Sequence, residues 1–282
     1  MTDDVLTVIA PLKDTPAEKA GVQAGDKIIA IDDTFTAKLT VDESVNLIRG
    51  EGGTPVKLTI VRDGEKEPIE IEIIRGRIEI PTIKTTSRDD GIFVIELYSF
   101  TATSPALFKN ALREFIKSGD NRLVLDLRNN PGGYLDAAVD IASWFLPVGK
   151  IVVRETSRDP ALEEKVYRSK GYDIFNKNLK FVILINQGSA SASEILAGAL
   201  SEYGKATLVG EKSFGKGSVQ ELIPIDKNSS LKITVAKWLT PNGVSISKNG
   251  LTPDIKVEFT KEDFEAKKDP QLEKAVEVLK NM

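Results

Sequence analysis

Three serines at alternate positions, Ser189, Ser191 and Ser193, run into Glu194, and two lysines, Lys212 and Lys216, follow. A serine hydroxyl is a weak nucleophile until a neighbouring base takes its proton. The commonest base is an imidazole, and this chain has no histidine; it has no cysteine either. A Ser-His-Asp triad, a Cys-His pair and a zinc site built on His or Cys are therefore excluded. A serine activated by lysine is the main route to nucleophilic catalysis that remains.

Ser191 is expected where a strand over 181–185 gives way, through Asn186-Gln187-Gly188, to a helix over 190–203. The first turn of a helix has free N–H groups and the positive end of the dipole, which would stabilise an oxyanion forming on an attacked carbonyl. The same letters have a plainer reading: Ser191-Ala192-Ser193-Glu194 spells a capping box. Lys216 stands between Gly215 and Gly217, which permit a tight turn that aims a side chain inward. A lysine acts as a base only when neutral, so it must be desolvated. Most lysines simply sit in water, and Lys212 beside Glu211 is read that way. Gln220 lies four residues past Lys216 and shares its face if a strand joins them, where its amide oxygen could orient the amine. Asp126-Leu127-Arg128-Asn129-Asn130-Pro131-Gly132-Gly133 ends a strand in a turn that bares N–H groups able to bind an anion. An ordinary strand-to-helix turn would look the same.

The elements that must hold these residues fall into two groups. In the first, a strand over 5–10 leads to Thr15-Pro16, which suits a helix N-cap and first position, with Gly21 as left-handed C-cap. A strand over 27–31, a helix over 41–49 and alternating strands over 56–62 and 68–74 follow, the last two joined at Asp63-Gly64. Residues 76–90, polar and containing Pro81, read as a connector. In the second group come a strand over 92–97 and a helix over 104–116 with Leu107, Leu112 and Ile116 on its apolar side. A strand over 122–127, helix 135–145, strand 181–185, helix 190–203, paired strands 219–225 and 231–239, and helix 271–279 complete it. The alternation predicts α/β (α+β) with a layered sheet. Across 282 residues the net charge is −4, against the basic excess of a nucleic-acid surface. No apolar run approaches a membrane span. The N-terminus is short and acidic, with none of the marks of a signal peptide.

Together these blocks resemble the C-terminal processing peptidases, the tail-specific proteases of the Ser-Lys class. The resemblance rests on Asn186 through Leu200, on Phe214-Gly215-Lys216-Gly217-Ser218-Val219-Gln220, and on Asp126-Leu127-Arg128 with Gly132-Gly133. Leu239-Thr240-Pro241-Asn242-Gly243 with Gly250-Leu251-Thr252-Pro253-Asp254 adds to it. It implies Ser191 as nucleophile, Lys216 as general base and Gln220 as the group that orients the lysine. The oxyanion hole would be the N–H of Ala192 and of one glycine of Gly132-Gly133, with Ser189 and Ser193 structural. Thr15 through Asp32 resembles part of a PDZ domain whose first strand and carboxylate loop should precede Val5. The implied organisation is an N-terminally truncated PDZ-like domain over 1–76, then a crotonase/ClpP-like layered protease domain over 77–282.

What the resemblance implies for function is an endopeptidase acting on proteins with unstructured or tagged C-termini, outside the cytoplasm, with no cofactor and no nucleic-acid partner. Membrane association would need segments not in this chain, and a homodimer is possible in the family. Two other readings are a catalytically silent PDZ-containing peptide-binding adaptor and an acyl-thioester enzyme of the crotonase type. A further expectation is a resting state in which Ser191 and Lys216 stand beyond hydrogen-bond distance.

Overall fold

The computed structural model describes residues 5–8, 15–23, 25–62, 64–77, 81–157, 159, 163–175, 178–225, 229–247, 249–260, 262–263 and 266–282. It divides into two units, Met1–Ile80 and Pro81–Met282. In the first, α1 (Pro16–Lys19) precedes β1 (Lys27–Ile31) and β2 (Thr34–Phe35). Next come α2 (Val41–Ile48), β3 (Pro55–Val61) and β4 (Ile69–Ile74). The strands form one antiparallel sheet in the order β2-β1-β3-β4. Alternation in β3 buries Val56, Leu58 and Ile60, and the register sets Leu58 opposite Ile71 and Val56 opposite Ile73. Gly21 takes the left-handed conformation expected of a C-cap. Of the strand expected over 5–10, Thr7 bridges Lys27, and residues 9 and 10 lie outside the described residues, as does Asp63 of the expected turn.

Asp26 is a fully buried charge of this unit. Arg62 donates to both its oxygens, Nε to Oδ1 at 2.7 Å and Nη2 to Oδ2 at 2.9 Å, and Gln23 N–H adds a third bond. Burial pushes the Asp26 carboxyl up, but Arg62 and the Gln23 N–H outweigh it and hold it below its ordinary value. The stability this contributes is present above the ordinary carboxylate range and lost as pH falls through the lower folded value. Asp26→Asn is expected to destabilise the unit by about 3 kcal/mol at neutral pH. Urea denaturation of wild type and variant at pH 7 and pH 3 checks it: the gap should narrow at the lower pH.

The second unit is built on a six-stranded sheet in the order β14-β11-β10-β7-β6-β5. Its parallel core is β6 (Ile92–Leu97), β7 (Arg122–Asp126), β10 (Lys180–Ile185), β11 (Thr207–Gly210) and β14 (Ile255–Lys256). β5 (Ile83–Ser87) closes one edge antiparallel to β6. That strand corrects the expectation of a connector over 76–90. Its polar letters are those of an edge strand with one solvated face.

Both faces of the central strands are covered, which is why they read as unbroken apolar runs. Leu123, Leu125, Ile183 and Ile185 share a core with α3 (Ser104–Ser118), α4 (Leu135–Ala142) and α5 (Ala192–Glu202). Val124, Val182 and Leu184 pack instead with Ala275 and Leu279 of α6 (Pro270–Asn281). The buried face of α3 is Phe108, Ala111, Leu112 and Phe115, an i, i+3, i+4, i+7 set. Leu107 and Ile116, expected inside, are 39% and 57% exposed. Helix α4 stops at Ala142, short of the expected Phe145, where Ser143 Oγ donates back to Val139 O. A separate antiparallel sheet, in the order β12-β13-β8-β9, contains β8 (Ile151–Ser157), β9 (Lys165–Arg168), β12 (Ser218–Pro224) and β13 (Ser230–Leu239). Sequence periodicity reads only β12 and β13 of these, since Arg154 and Glu155 interrupt β8 and Lys165 and Arg168 bound the short β9.

Candidate active site

The parallel strands β7 and β10 end side by side, with Leu184 opposite Asp126. Two loops therefore leave the same carboxyl edge of the sheet, the usual place for a site in such folds. Each loop is tied to the other. Asn129, at φ 57°, gives its N–H to Asn186 Oδ1 at 2.8 Å and accepts from Asn186 Nδ2 at 2.9 Å. Asn130 is fully buried; its carbonyl accepts from Ala190 N–H at 3.0 Å and from Ser193 Oγ at 2.9 Å. Ser189 Oγ donates to Leu127 O at 2.8 Å. Ser189 and Ser193 thus serve as fasteners between the loops, while Ser191 lies between them, half-buried.

Ser191 has φ 56° and ψ −115°. An ordinary N-cap residue is extended, and a non-glycine residue held in this region carries strain of about 1–3 kcal/mol. The capping box is therefore only part of the account. Its return half is present, Ser191 N–H donating to Glu194 Oε2 at 2.8 Å, but the backbone is forced into a shape that capping does not require. Ala192 follows as the first residue of α5, so its N–H has no acceptor within the helix.

Gly132 meets this corner directly. A Cβ placed on it would fall 2.5 Å from Ala190 O, 2.8 Å from Ser191 Cβ and 2.9 Å from Ala192 N. With φ 95° as well, the position accepts only glycine, and glycine leaves the space before the Ala192 N–H open. The N–H of Gly132 is already engaged by Asn130 Oδ1 at 2.9 Å. Gly133 is exposed, and its N–H has no partner among the described residues. Of the two glycines left open by the sequence, Gly133 is the one with a donor to offer.

Lys216 comes to the corner through Glu194. This carboxylate is fully buried in the first turn of α5. Oε2 accepts from Ser191 N–H and from Lys216 N–H at 3.0 Å. Oε1 accepts from Gly215 N–H and Ser213 Oγ, each at 2.6 Å. One side chain therefore anchors the serine and the lysine loop by their backbones. The Lys216 side chain is exposed, and no hydrogen bond joins its ammonium to Ser191 among the described residues. Lys212 is exposed too. Gln220 is placed by its backbone in β12, opposite Thr234, and its side chain lies outside the described residues. Simple alternation does not relate residues 216 and 220, because the strand begins only at Ser218 and its pairing shifts at Val219/Gln220.

Two features went unread in the sequence: the reach of Glu194 across to residues 213–216, and the environment of Arg128. A lone carboxylate in the apolar run from Ala192 to Leu200 was the available signal for the first, since a buried charge must find donors. Arg128 gave no such sign. Its guanidinium is held by Asp126 and by Asp269, the N-cap of α6. Burial alone would pull the Arg128 pKa down, but the two carboxylates outweigh it and leave it above its ordinary value. Among the described residues no group of acidic side chains has a metal-binding arrangement.

The profile of Peptidase family S41 matches residues 91–257, and that of a PDZ domain matches residues 7–62. The chain is 41% identical over 263 residues to a carboxy-terminal-processing protease of Bartonella bacilliformis, covering 92% of this chain and 59% of that protein. It is 37% identical over 257 residues to the carboxy-terminal processing protease CtpA of Bacillus subtilis, covering 91% of this chain and 54% of that one. The chain thus spans little more than half the length of these relatives. Among solved structures it resembles a photosystem II D1 C-terminal processing protease, with 30% identity, a TM-score of 0.66 and coverage of 91% of this chain and 69% of that one. A putative S41 protease of Bacteroides fragilis has the same fold at 20% identity and a TM-score of 0.66, covering 98% of this chain and 79% of that one.

Proposed function

The chain belongs to peptidase family S41 and carries a PDZ domain, and from that premise we propose that it is a serine endopeptidase working through Ser191 and Lys216. The observation that carries the reading is the strained Ser191, held between the open N–H of Ala192 and the glycine turn. In the reaction, neutral Lys216 takes the proton from Ser191 Oγ as the oxygen attacks a peptide carbonyl. The oxyanion is received by the N–H groups of Ala192 and Gly133. The protonated lysine then gives its proton to the leaving amine, and water hydrolyses the acyl-enzyme. Gln220 orients the amine. Since Lys216 is exposed here, substrate must cover it and exclude water before it can serve as a base; catalytic contacts commonly tighten only in the substrate complex.

The substrates proposed are proteins with unstructured C-termini, the PDZ-like residues 1–76 presenting them to a catalytic part over 77–282, in a compartment outside the cytoplasm. No helix among the described residues is long and apolar enough to cross a membrane. The test is covalent: a fluorophosphonate probe, followed by peptide mass spectrometry, should place one adduct on Ser191, and its rate should rise with pH as lysine loses its proton. An adduct elsewhere, or an acidic optimum, would sink the assignment. No adduct, with peptide binding retained, would favour the silent adaptor.

A further inference from the structure

The turn that carries Gly132 and Gly133 begins at Arg128, and Arg128 is held from the far end of the chain. Its Nε donates to Asp126 Oδ1 at 3.0 Å and its Nη2 to Asp126 Oδ2 at 2.6 Å. Its Nη1 and Nη2 donate to the two oxygens of Asp269, each at 2.8 Å, and Nη1 also reaches Gln271 Oε1 at 3.1 Å. Both carboxylates are therefore gripped bidentately, the arrangement that fixes a guanidinium in direction as well as distance. Asp126 belongs to the same strand end as Arg128 and cannot by itself set the arginine against the rest of the molecule. Asp269 can. It caps α6, accepting from Leu272 N–H at 2.9 Å, and α6 is buried on the sheet face through Ala275 and Leu279. From Arg128 the chain passes directly into Asn129, clamped by Asn186, and Asn130, clamped by Leu97 O and Gly132 N–H.

We infer that Asp269 is a positioning residue for the Ser191 site: the cap of the C-terminal helix fixes Arg128, and Arg128 sets the pitch of the turn that presents Gly133. The inference rests on the proposed Ser191 chemistry for its consequence, though not for the latch itself. Asp269 touches no reacting atom. Its effect belongs in the rate of acylation and not in substrate affinity.

Asp269→Asn is the informative change. Asparagine caps a helix as well as aspartate does, so α6 keeps its start. One of its two oxygens becomes an NH2 facing the guanidinium donors, and the bidentate grip is lost. Leu279→Ala loosens the same helix at its other end without touching Arg128. Two readouts on the full chain separate the possibilities. Hydrogen exchange over residues 128–134 should speed up in Asp269→Asn and stay at the wild-type rate in Leu279→Ala, although the latter has the lower melting temperature. Fluorophosphonate labelling of Ser191 should slow roughly ten- to hundredfold in Asp269→Asn alone, with KM for a peptide substrate unchanged. Wild-type exchange over 128–134 in Asp269→Asn would overturn the latch. So would equal exchange in the two variants, which would make α6 mere bulk. A wild-type chain that takes no label would refute the Ser191 reading, and the exchange comparison would still decide the latch.

Discussion

Ser191→Ala, Lys216→Ala and the double variant should all lose acylation to about the same floor, on the order of 10⁵–10⁶-fold below wild type. Groups that act as one unit are not additive: once the hydroxyl is gone the amine has no proton to take, and once the amine is gone the hydroxyl is no longer a nucleophile. Lys212→Ala, next to Ser213 of the same network and exposed like Lys216, should stay within a few-fold of wild type; an equal loss there would mean that the loop acts only structurally. The readout is the single-turnover rate on an unfolded protein substrate, with products read by mass spectrometry. Ser191→Gly adds a second arm. Glycine enters φ 56°, ψ −115° without strain, so this inactive variant should melt above Ser191→Ala, the difference being about 1 kcal/mol or more. If the glycine variant is the less stable of the two, Ser191 is not strained, and the observation that carries the assignment is lost.

Much of this arrangement is written locally. The apolar runs over 92–97 and 181–185 read as strands, and both are. The Ser-x-x-Glu spacing read as a capping box, and its return bond is present. What could not be read is whatever depends on partners distant in the chain. Glu194 meets Ser213, Gly215 and Lys216 only once the loop after β11 folds back. Asp269 meets Arg128 across 141 residues, and nothing in either neighbourhood of the sequence points to the other. Gly132 and Gly133 look interchangeable as letters; they differ because the Asn130 side chain takes the N–H of one and leaves that of the other. The edge strand β5 was hidden for a related reason: a strand with one solvated face and one neighbour has little apolar pattern to show. On α3 the expected Leu112 is buried, whereas Leu107 and Ile116 flank the buried stripe without entering it.

Glu194→Gln should be the most damaging change that leaves every reacting group in place. The carboxylate takes four donors, two on each oxygen: Ser191 and Lys216 N–H on Oε2, Gly215 N–H and Ser213 Oγ on Oε1. No cation partners it among these contacts; the backbone N–H groups do that work, as they do for other buried anions. Glutamine keeps one oxygen and turns the other into a donor. Whichever way the amide is set, two N–H or O–H groups that had an acceptor then face an NH2. If the oxygen stays with Ser213 and Gly215, the serine and the lysine loop lose their common anchor. If it stays with Ser191 and Lys216, Ser213 swings away, and with it the bond its Oγ accepts from Leu251 N–H at 2.6 Å. Two donors left without acceptors in this part-buried site cost up to about 2–6 kcal/mol, so the melting temperature should fall. The labelling rate of the protein that remains folded should fall at least a hundredfold, since a displacement of about 1 Å between nucleophile and base has that effect. Glu194→Asp, too short to span both loops but with all four acceptor sites, separates charge from reach. If the aspartate variant recovers labelling, the negative charge is what matters. If it fails as badly as glutamine, Glu194 works as a strut of fixed length, joining the strained serine to the lysine loop that must close over it.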